Sequence, residues 1–252
     1  MRLHSVYKRA RALFFEHRTC GDRARSSLSR RAPMISGTAP ARRLATVHLR
    51  RFAAASSPSG DEVLHVVNPY TERAIAAMHA DDELSVVSKY VNAAEAQRSW
   101  AATPLDERVG CLRRFAKLLR GEADVVARTL TSEMGKPITQ ARAEVLAASH
   151  RVLVIADMVT EAMMPRDVHR SGVVTERVEF EPLGVVVNVS AWNYPHFLAA
   201  NVFAAALATG NTVMLKPSEV TPLSGAHVRR LLHASGIPED VFQAGVCAAW
   251  VK

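Results

Sequence analysis

The sequence contains few cysteines and few aromatic residues. Its three cysteines, Cys20, Cys111 and Cys247, are widely spaced and odd in number, which indicates neither a disulfide framework nor a zinc site. Aromatic residues make up 6% of the chain and are not interleaved with basic residues in one patch, which argues against a nucleic-acid-binding surface. Cys111 falls within a predicted helix, where we expect a small core residue.

Acidic residues are scarce in residues 1–59, where Glu16 and Asp22 are outnumbered by twelve Arg and one Lys. This segment carries a charge of +11 within a chain of +8, so the remainder is net negative and nucleic-acid binding is not predicted. An Arg-, Ser- and Ala-rich segment without a secretory apolar core is typical of a mitochondrial presequence. A basic tail of no function and a misplaced start codon are the alternatives.

We therefore predict two regions. Residues 1–55 form a presequence that is cleaved on import into the mitochondrial matrix, after Phe52 in "RRFA" or Leu44 in "RRLA". Residues 56–252 form the folded domain.

Charged side chains are missing from Pro182 through Leu215. An apolar run of this length suggests a membrane helix, but Pro195 and a Val-rich run interrupt it, so no membrane span is predicted. "GVVVNVS" is typical of a strand buried on both faces, "HFLAANVFAAALATG" of a helix closed by Gly210, and "NTVMLKPSE" of a second buried strand. "TPLSGAHVRRLLHASG" adds a helix with Thr221 as its cap.

The order β-α-β-α predicts parallel strands whose carboxyl ends lie at one edge of the sheet, where ligands bind in such folds. Helices are also predicted from Glu83 to Ala101, from Pro104 to Gly121, from Glu122 to Met134 and from Ile138 to Met163, with Asp81, Asp82 and Thr103 as caps. Strands are predicted in "EVLHVVNPYTE" and "VVTERVEFEP".

Three polar residues follow the two buried strands. Asn193 offers amide donors suited to an oxyanion that develops during attack on a carbonyl, although a lone Asn more often turns a loop. Lys216 can reach a ribose or phosphate, or be a surface lysine. Glu219 can accept two hydrogen bonds from a ribose diol and would repel a 2′-phosphate, or serve as an acid favoured by the helix dipole. Together at adjacent strand ends, these residues favour a nucleotide site.

The motifs "EPLGVVVNVSAWNYP", "ALATGNTVMLKPSEVTPLSG" and "GIPEDVF", supported by "NPYTE", "AAEAQRSW", "LDERVGCLRRFAKLL" and "EMGKP", resemble the amino-terminal half of the aldehyde dehydrogenase superfamily. The resemblance covers residues 62–243. It implies an α/β fold with a Rossmann-like doubly wound parallel sheet, here truncated, with amino-terminal helices and a β arm for oligomerisation.

The resemblance also implies a function: NAD(P)-dependent oxidation of a small-molecule aldehyde to a carboxylic acid through a thioester, by a homo-oligomer in the full-length form. The Glu219 carboxylate favours NAD over NADP as the cofactor. Succinate-semialdehyde-type and broad-specificity members both fit. By position, Asn193 matches the oxyanion-hole asparagine. The positions that match the cofactor-lining residues are Ser190, Ala191, Trp192, Asn193, Lys216, Ser218 and Glu219. Ala191 replaces the usual Pro.

The nucleophilic Cys, the general-base Glu and the Gly-rich turn for the pyrophosphate are expected after residue 243. The final residues, "QAGVCAAWVK", depart from the family where a strand and that turn should follow, and Cys247 has the wrong context for the nucleophile. We therefore expect no aldehyde oxidation by the chain as given. The alternative reading is a non-catalytic remnant, pseudoenzyme or assembly partner.

Overall fold

The computed structural model describes residues 63–246; the predicted presequence, Cys20 and Cys247 lie outside the described residues. The helices are α1 (Glu83–Ala102), α2 (Leu105–Gly121), α3 (Ala123–Met134), α4 (Ile138–Ala162), α5 (Pro195–Ala208) and α6 (Pro222–Ala234). The strands are β1 (Val63–Val67), β2 (Ala74–His79), β3 (Arg166–Ser171), β4 (Val174–Val178), β5 (Val185–Val189), β6 (Thr212–Lys216) and β7 (Phe242–Ala244).

A three-stranded parallel sheet of order β5-β6-β7 forms the centre of the fold. Val185 pairs with Thr212 and Val189 with Lys216, so β5 and β6 end at the same level. The connections through α5 and α6 are the predicted β-α-β-α unit, and the α/β fold with a parallel sheet is confirmed.

Helices cover both faces of the sheet. On one face, Phe203 of α5 lies between Phe115 of α2 and Phe242 of β7, with edge-to-face ring centroids 5.4 and 5.8 Å apart. On the other face, the Thr212 hydroxyl donates to the Ala93 carbonyl of α1 at 3.1 Å. β6 is buried at every position, as predicted. The prediction that β5 is buried on both faces is wrong: Val187 and Val189 are 51% and 59% exposed, because β5 lies at the edge of the described sheet and its carboxyl half is not covered on that face.

The predicted apolar face of α2 is confirmed: Val109, Leu112, Phe115, Ala116 and Leu119 are all buried. Cys111 is also buried, as expected for a small core residue. Its thiol accepts a hydrogen bond from Arg114 at 3.0 Å, and burial raises the pKa of the thiol.

Two antiparallel hairpins lie outside the parallel sheet. In β1–β2, the predicted turn forms, with Asn68 Oδ1 accepting from the amides of Tyr70 and Thr71. In β3–β4, every residue is exposed. The sequence did not predict β2, whose Ala-rich segment has weak strand propensity, or the polar β3, because pairing with the neighbouring strand decides both.

Thr221 occupies the N-cap position of α6 with Pro222 first, as predicted, but its buried hydroxyl makes no capping hydrogen bond and has no partner among the described residues. Two other predictions are wrong. The Thr103 hydroxyl donates to the Ser99 carbonyl at the end of α1 instead of capping α2. A strand does follow residue 241: β7 pairs in parallel with β6, and the amide of Gly245 donates to Leu215 at 2.9 Å. By contrast, Asp82 caps α1 as predicted, accepting from Ser85 at 2.7 Å.

Among the helices of residues 63–246, none combines the length and apolar composition that a bilayer crossing requires.

A buried guanidinium joins the ends of α1 and α5. Arg108 Nε donates to the Ala208 carbonyl at 3.0 Å, and Nη1 donates to the carbonyls of Trp100, Ala101 and Thr103. The carbonyls of Trp100, Ala101 and Ala208 lie in the last turns of α1 and α5, where intrahelical hydrogen bonds run out, and Thr103 is the residue after α1. Arg108 is 8% exposed, so water cannot readily replace it at these carbonyls.

We expect Arg108→Met to lower the free energy of unfolding by about 3 kcal/mol, because buried carbonyls lose a charged donor. Urea denaturation of the full chain measures this change. Arg113→Met on the same helix is the control: its ion pair with Asp157 is more than half exposed, so the expected loss is under about 1 kcal/mol. Equal losses in the two variants would contradict the role given to Arg108.

Candidate active site

The predicted site residues lie at the carboxyl ends of β5 and β6. The Ser190 amide donates to the Lys216 carbonyl at 3.0 Å, which extends the strand pairing by one step. The Ser190 hydroxyl then donates to the Pro195 carbonyl at 3.3 Å, across the turn that leads into α5. The structure therefore brings the two predicted groups of residues to one edge of the sheet.

Lys216, Ser218 and Glu219 form one group after β6. Glu219 Oε2 lies 3.4 Å from both Lys216 Nζ and Ser218 Oγ, and the Ser218 hydroxyl accepts from the Val220 amide at 3.2 Å. A hydrogen bond from its own backbone amide and the positive charge of Lys216 lower the pKa of Glu219. The Glu219 side chain is 63% exposed, so this carboxylate is ionised and accessible to a ligand.

Ala191, Trp192 and Asn193 form an exposed loop between β5 and α5, which with Ser190 and Tyr194 we call the oxyanion loop (residues 190–194). Trp192 is 51% exposed. Within residues 63–246, the Asn193 side-chain amide makes no hydrogen bond, whereas the Asn193 backbone carbonyl accepts one from Lys136 at 2.7 Å. The amide is thus available to a ligand while the backbone beneath it is held.

Two buried glutamates from the preceding helices bind the starts of α5 and α6. Glu144 of α4 accepts from the amides of His196 and Phe197 at 3.0 and 3.4 Å. Glu133 of α3 accepts from the Leu223 amide and, at 3.1 and 2.7 Å, from the Ser224 amide and hydroxyl. Each carboxylate thereby satisfies helix-start donors that Thr221 or Tyr194 leaves unbonded.

The first-turn amides of both helices are therefore already occupied. In many dinucleotide-binding folds a helix start of this kind binds the pyrophosphate, but here a carboxylate fills each position. A nucleotide at this edge must place its phosphates elsewhere. The family's Gly-rich turn for the pyrophosphate is expected after residue 243, where the final residues depart from the family, and residues 247–252 lie outside the described residues.

Lys136 completes the site and was missed as a functional residue. Its ammonium bonds the Glu144 carboxylate and the Asn193 carbonyl, and lies 3.7 Å from the centroid of the Tyr194 ring. The motif "EMGKP", which contains this lysine, supported the family resemblance, but no role was predicted for Lys136. The position of Glu144 could have indicated such a partner. It lies on the apolar face of α4 with Ala141 and Ala148, where a buried carboxylate requires a positive charge or hydrogen bonds.

His196 is a second buried polar residue near the loop. Neither of its ring nitrogens has a hydrogen-bond partner among residues 63–246. Burial, together with the positive charges of His227 and Lys136, lowers the pKa of His196 to about 3. The imidazole is therefore neutral at physiological pH.

A cavity of about 450 Å³ lies away from these residues, where β7 begins, and is lined in part by Trp100, Cys111, Arg114 and Asp240. It does not adjoin the strand ends that carry the site. Elsewhere in the described part of the chain, no three His, Cys, Asp or Glu side chains are grouped so as to hold a metal ion.

Comparison with known proteins assigns the chain to one family. The sequence model of the aldehyde dehydrogenase family matches residues 55–246. An aldehyde dehydrogenase from Brucella melitensis biovar abortus 2308 is 29% identical, with a TM-score of 0.72 over 75% of this chain and 39% of its own.

Two further solved structures differ in cofactor. NADP-dependent glyceraldehyde-3-phosphate dehydrogenase from Bacillus halodurans C-125, complexed with NADP, is 31% identical, with a TM-score of 0.71 over 75% of this chain and 41% of its own. An NAD-dependent benzaldehyde dehydrogenase from Corynebacterium glutamicum is 30% identical, with a TM-score of 0.71 over 75% and 42%. The chain thus spans well under half the length of these structures.

We expect the free energy of unfolding of His196→Leu to fall less steeply with decreasing pH than that of the wild-type chain. Since the folded-state pKa is about 3 and the ordinary value is 6.5, the unfolded chain binds the proton first, and folding loses up to about 1.4 kcal/mol per pH unit between these values. The variant lacks this loss. At pH 7 its free energy of unfolding is expected to be about 1 kcal/mol higher, because it buries no imidazole without a hydrogen-bond partner.

Urea denaturation between pH 4 and pH 7 measures the difference. His150→Leu, which removes an exposed histidine from α4, is the control. Parallel pH profiles for the wild-type chain and His196→Leu would show that His196 is not buried unpaired.

Proposed function

The chain belongs to the aldehyde dehydrogenase family, and from that premise we propose that it supplies the cofactor-binding edge and the oxyanion donor of an enzyme that oxidises an aldehyde to a carboxylic acid. The observation that supports this proposal is the meeting of the oxyanion loop with Lys216, Ser218 and Glu219 at adjacent strand ends. Ligands bind at this edge in open parallel sheets.

The cofactor we propose is NAD. Lys216 and Glu219 offer a donor and an acceptor 3.4 Å apart, which suits the two hydroxyls of a ribose. The accessible Glu219 carboxylate would repel the 2′-phosphate of NADP. Since NADP-dependent proteins are also among the similar structures, the preference for NAD rests on this carboxylate.

Asn193 is the proposed catalytic residue of this part of the fold. Attack on the aldehyde carbon turns its carbonyl oxygen into an oxyanion, and an accessible amide donor at the site stabilises that charge. The nicotinamide ring, when bound, accepts the hydride from that carbon. The overall reaction consumes the aldehyde, water and NAD⁺ and yields the carboxylic acid, NADH and one proton. The nucleophilic Cys and general-base Glu implied by the family are not among the described residues of this chain.

Two further proposals concern the whole protein. The fully exposed β3–β4 hairpin is the surface proposed for homo-oligomerisation in a full-length form. The basic residues 1–55 are proposed to direct the protein to mitochondria, which sequencing the amino terminus of the native protein would test.

The proposed nucleotide site makes a binding prediction. We expect the full chain to bind NAD⁺ saturably, and Lys216→Met to weaken binding about 10-fold or more, because a hydrogen bond to a charged group contributes about 1.5–3 kcal/mol. Ligand-observed NMR titration measures this. Lys117→Met, at an exposed position of α2, is the control and leaves affinity unchanged. Absence of binding, or an equal loss in both variants, would overturn the proposed site.

Glu219→Gln tests the choice of cofactor. Removing the carboxylate removes its repulsion of the 2′-phosphate, so we expect NADP⁺ binding to tighten about 5-fold or more, while NAD⁺ binding weakens. The same titrations with both nucleotides give the ratio of affinities. A ratio that does not change would show that Glu219 does not select between them.

A further inference from the structure

We propose that Lys136 is a positioning residue that holds the oxyanion loop through its backbone and thereby aims the Asn193 amide. The inference rests on the proposed function only for the use of that amide; the restraint on the loop stands on the contacts themselves. The Asn193 side chain is exposed, whereas its carbonyl accepts from Lys136 at 2.7 Å. The orientation of the Asn193 side-chain amide is therefore set by the position of the Asn193 backbone.

The backbone around Lys136 is itself restricted. Gly135 adopts φ +76°, and a Cβ at this position would lie 3.2 Å from the Pro69 ring. Pro137 on the other side has a fixed φ and precedes α4 directly. The lysine thus starts from a defined position between the end of α3 and the start of α4.

The Lys136 ammonium has a partner for each of its three donors. An ammonium has three donors, and here it meets the Glu144 carboxylate, the Asn193 carbonyl and the face of the Tyr194 ring. Two of these three partners belong to the oxyanion loop. The side chains of Lys136 and Glu144 are only 6% and 1% exposed, so solvent screens the contacts little.

Glu144 couples the loop to the helix that follows it. Its Oε2 binds Lys136, while its Oε1 accepts from the amides of His196 and Phe197 at the start of α5. One carboxylate therefore joins the lysine that holds the loop to the first turn of the next helix. The loop is anchored before Asn193 by Ser190, at Asn193 by its carbonyl, and after it by Tyr194.

The test must avoid leaving a buried charge without a partner, because that alone would destabilise the fold. The double variant Lys136→Met/Glu144→Gln removes both charges and keeps an amide oxygen that can accept from His196 and Phe197. The matched control is Lys89→Met/Asp81→Asn, which removes another partly buried Lys–Asp pair, near the start of α1. Both doubles are made in the full chain.

The readout is ¹⁵N relaxation of the backbone amides of Trp192, Asn193 and Tyr194 and of the Asn193 side-chain NH₂ group. In the wild-type chain we expect backbone order parameters near about 0.85, as in rigid structure, and in the Lys136 double variant values below about 0.6. The Asn193 NH₂ resonance shifts with them. In the Lys136 double variant, the backbone amides of β6 keep their wild-type order parameters. In the Lys89 double variant, the order parameters of the oxyanion loop stay at their wild-type values.

Each outcome decides the inference. An oxyanion loop that stays rigid in the Lys136 double variant, or loosens equally in the Lys89 double variant, would overturn it, since the first shows no restraint by Lys136 and the second only a general loss of stability. NAD⁺ titration separates this inference from the proposed function. A chain that fails to bind NAD⁺ but loosens as expected keeps the restraint on the loop and loses the nucleotide site.

Discussion

Two buried carboxylates hold the starts of the helices that follow β5 and β6, and the arrangement of the site depends on them. Glu144 and Glu133 bind backbone amides of α5 and α6, so the two β-to-α turns are fixed against α4 and α3. Burying a carboxylate is costly unless hydrogen bonds or an opposite charge compensate it. Glu144 has Lys136 as a partner, whereas Glu133 relies on Leu223 and Ser224, and burial raises its pKa to about 7.

These contacts link the stability of the fold to the geometry of the candidate site. The same Lys136 that compensates Glu144 binds the Asn193 carbonyl, so the exposed oxyanion loop is tied to a buried ion pair. Because the helix starts are occupied by carboxylates, the proposed nucleotide would place a ribose at Lys216 and Glu219 and no phosphate at either helix start. The nucleotide-binding edge proposed here is thus built differently from sites that use a free helix start.

Local sequence patterns predicted much of this structure. The apolar periodicity located α2 with its buried face, because burial of one side of a helix leaves a regular pattern. The Val-rich run located β5, because β-branched residues favour strands. The placement of Asn193 after β5 and of Lys216 and Glu219 at the end of β6 followed from topology, since neighbouring parallel strands end at one edge. The hydrogen bonds from Leu223 and Ser224 to Glu133, in place of one to the Thr221 hydroxyl, could not be predicted, because α3 and α6 meet only through tertiary packing. The same holds for β7, whose three residues are fixed by pairing with β6, and for the Lys136–Asn193 contact.

The most direct test is amide hydrogen exchange at the starts of α5 and α6 in the full chain. If Glu144 and Glu133 bind these helix starts, the amides of His196, Phe197, Leu223 and Ser224 exchange as slowly as those of β6, because they open only when the surrounding structure opens. Fast exchange at all four positions, at the rate of exposed helix ends, would contradict the account.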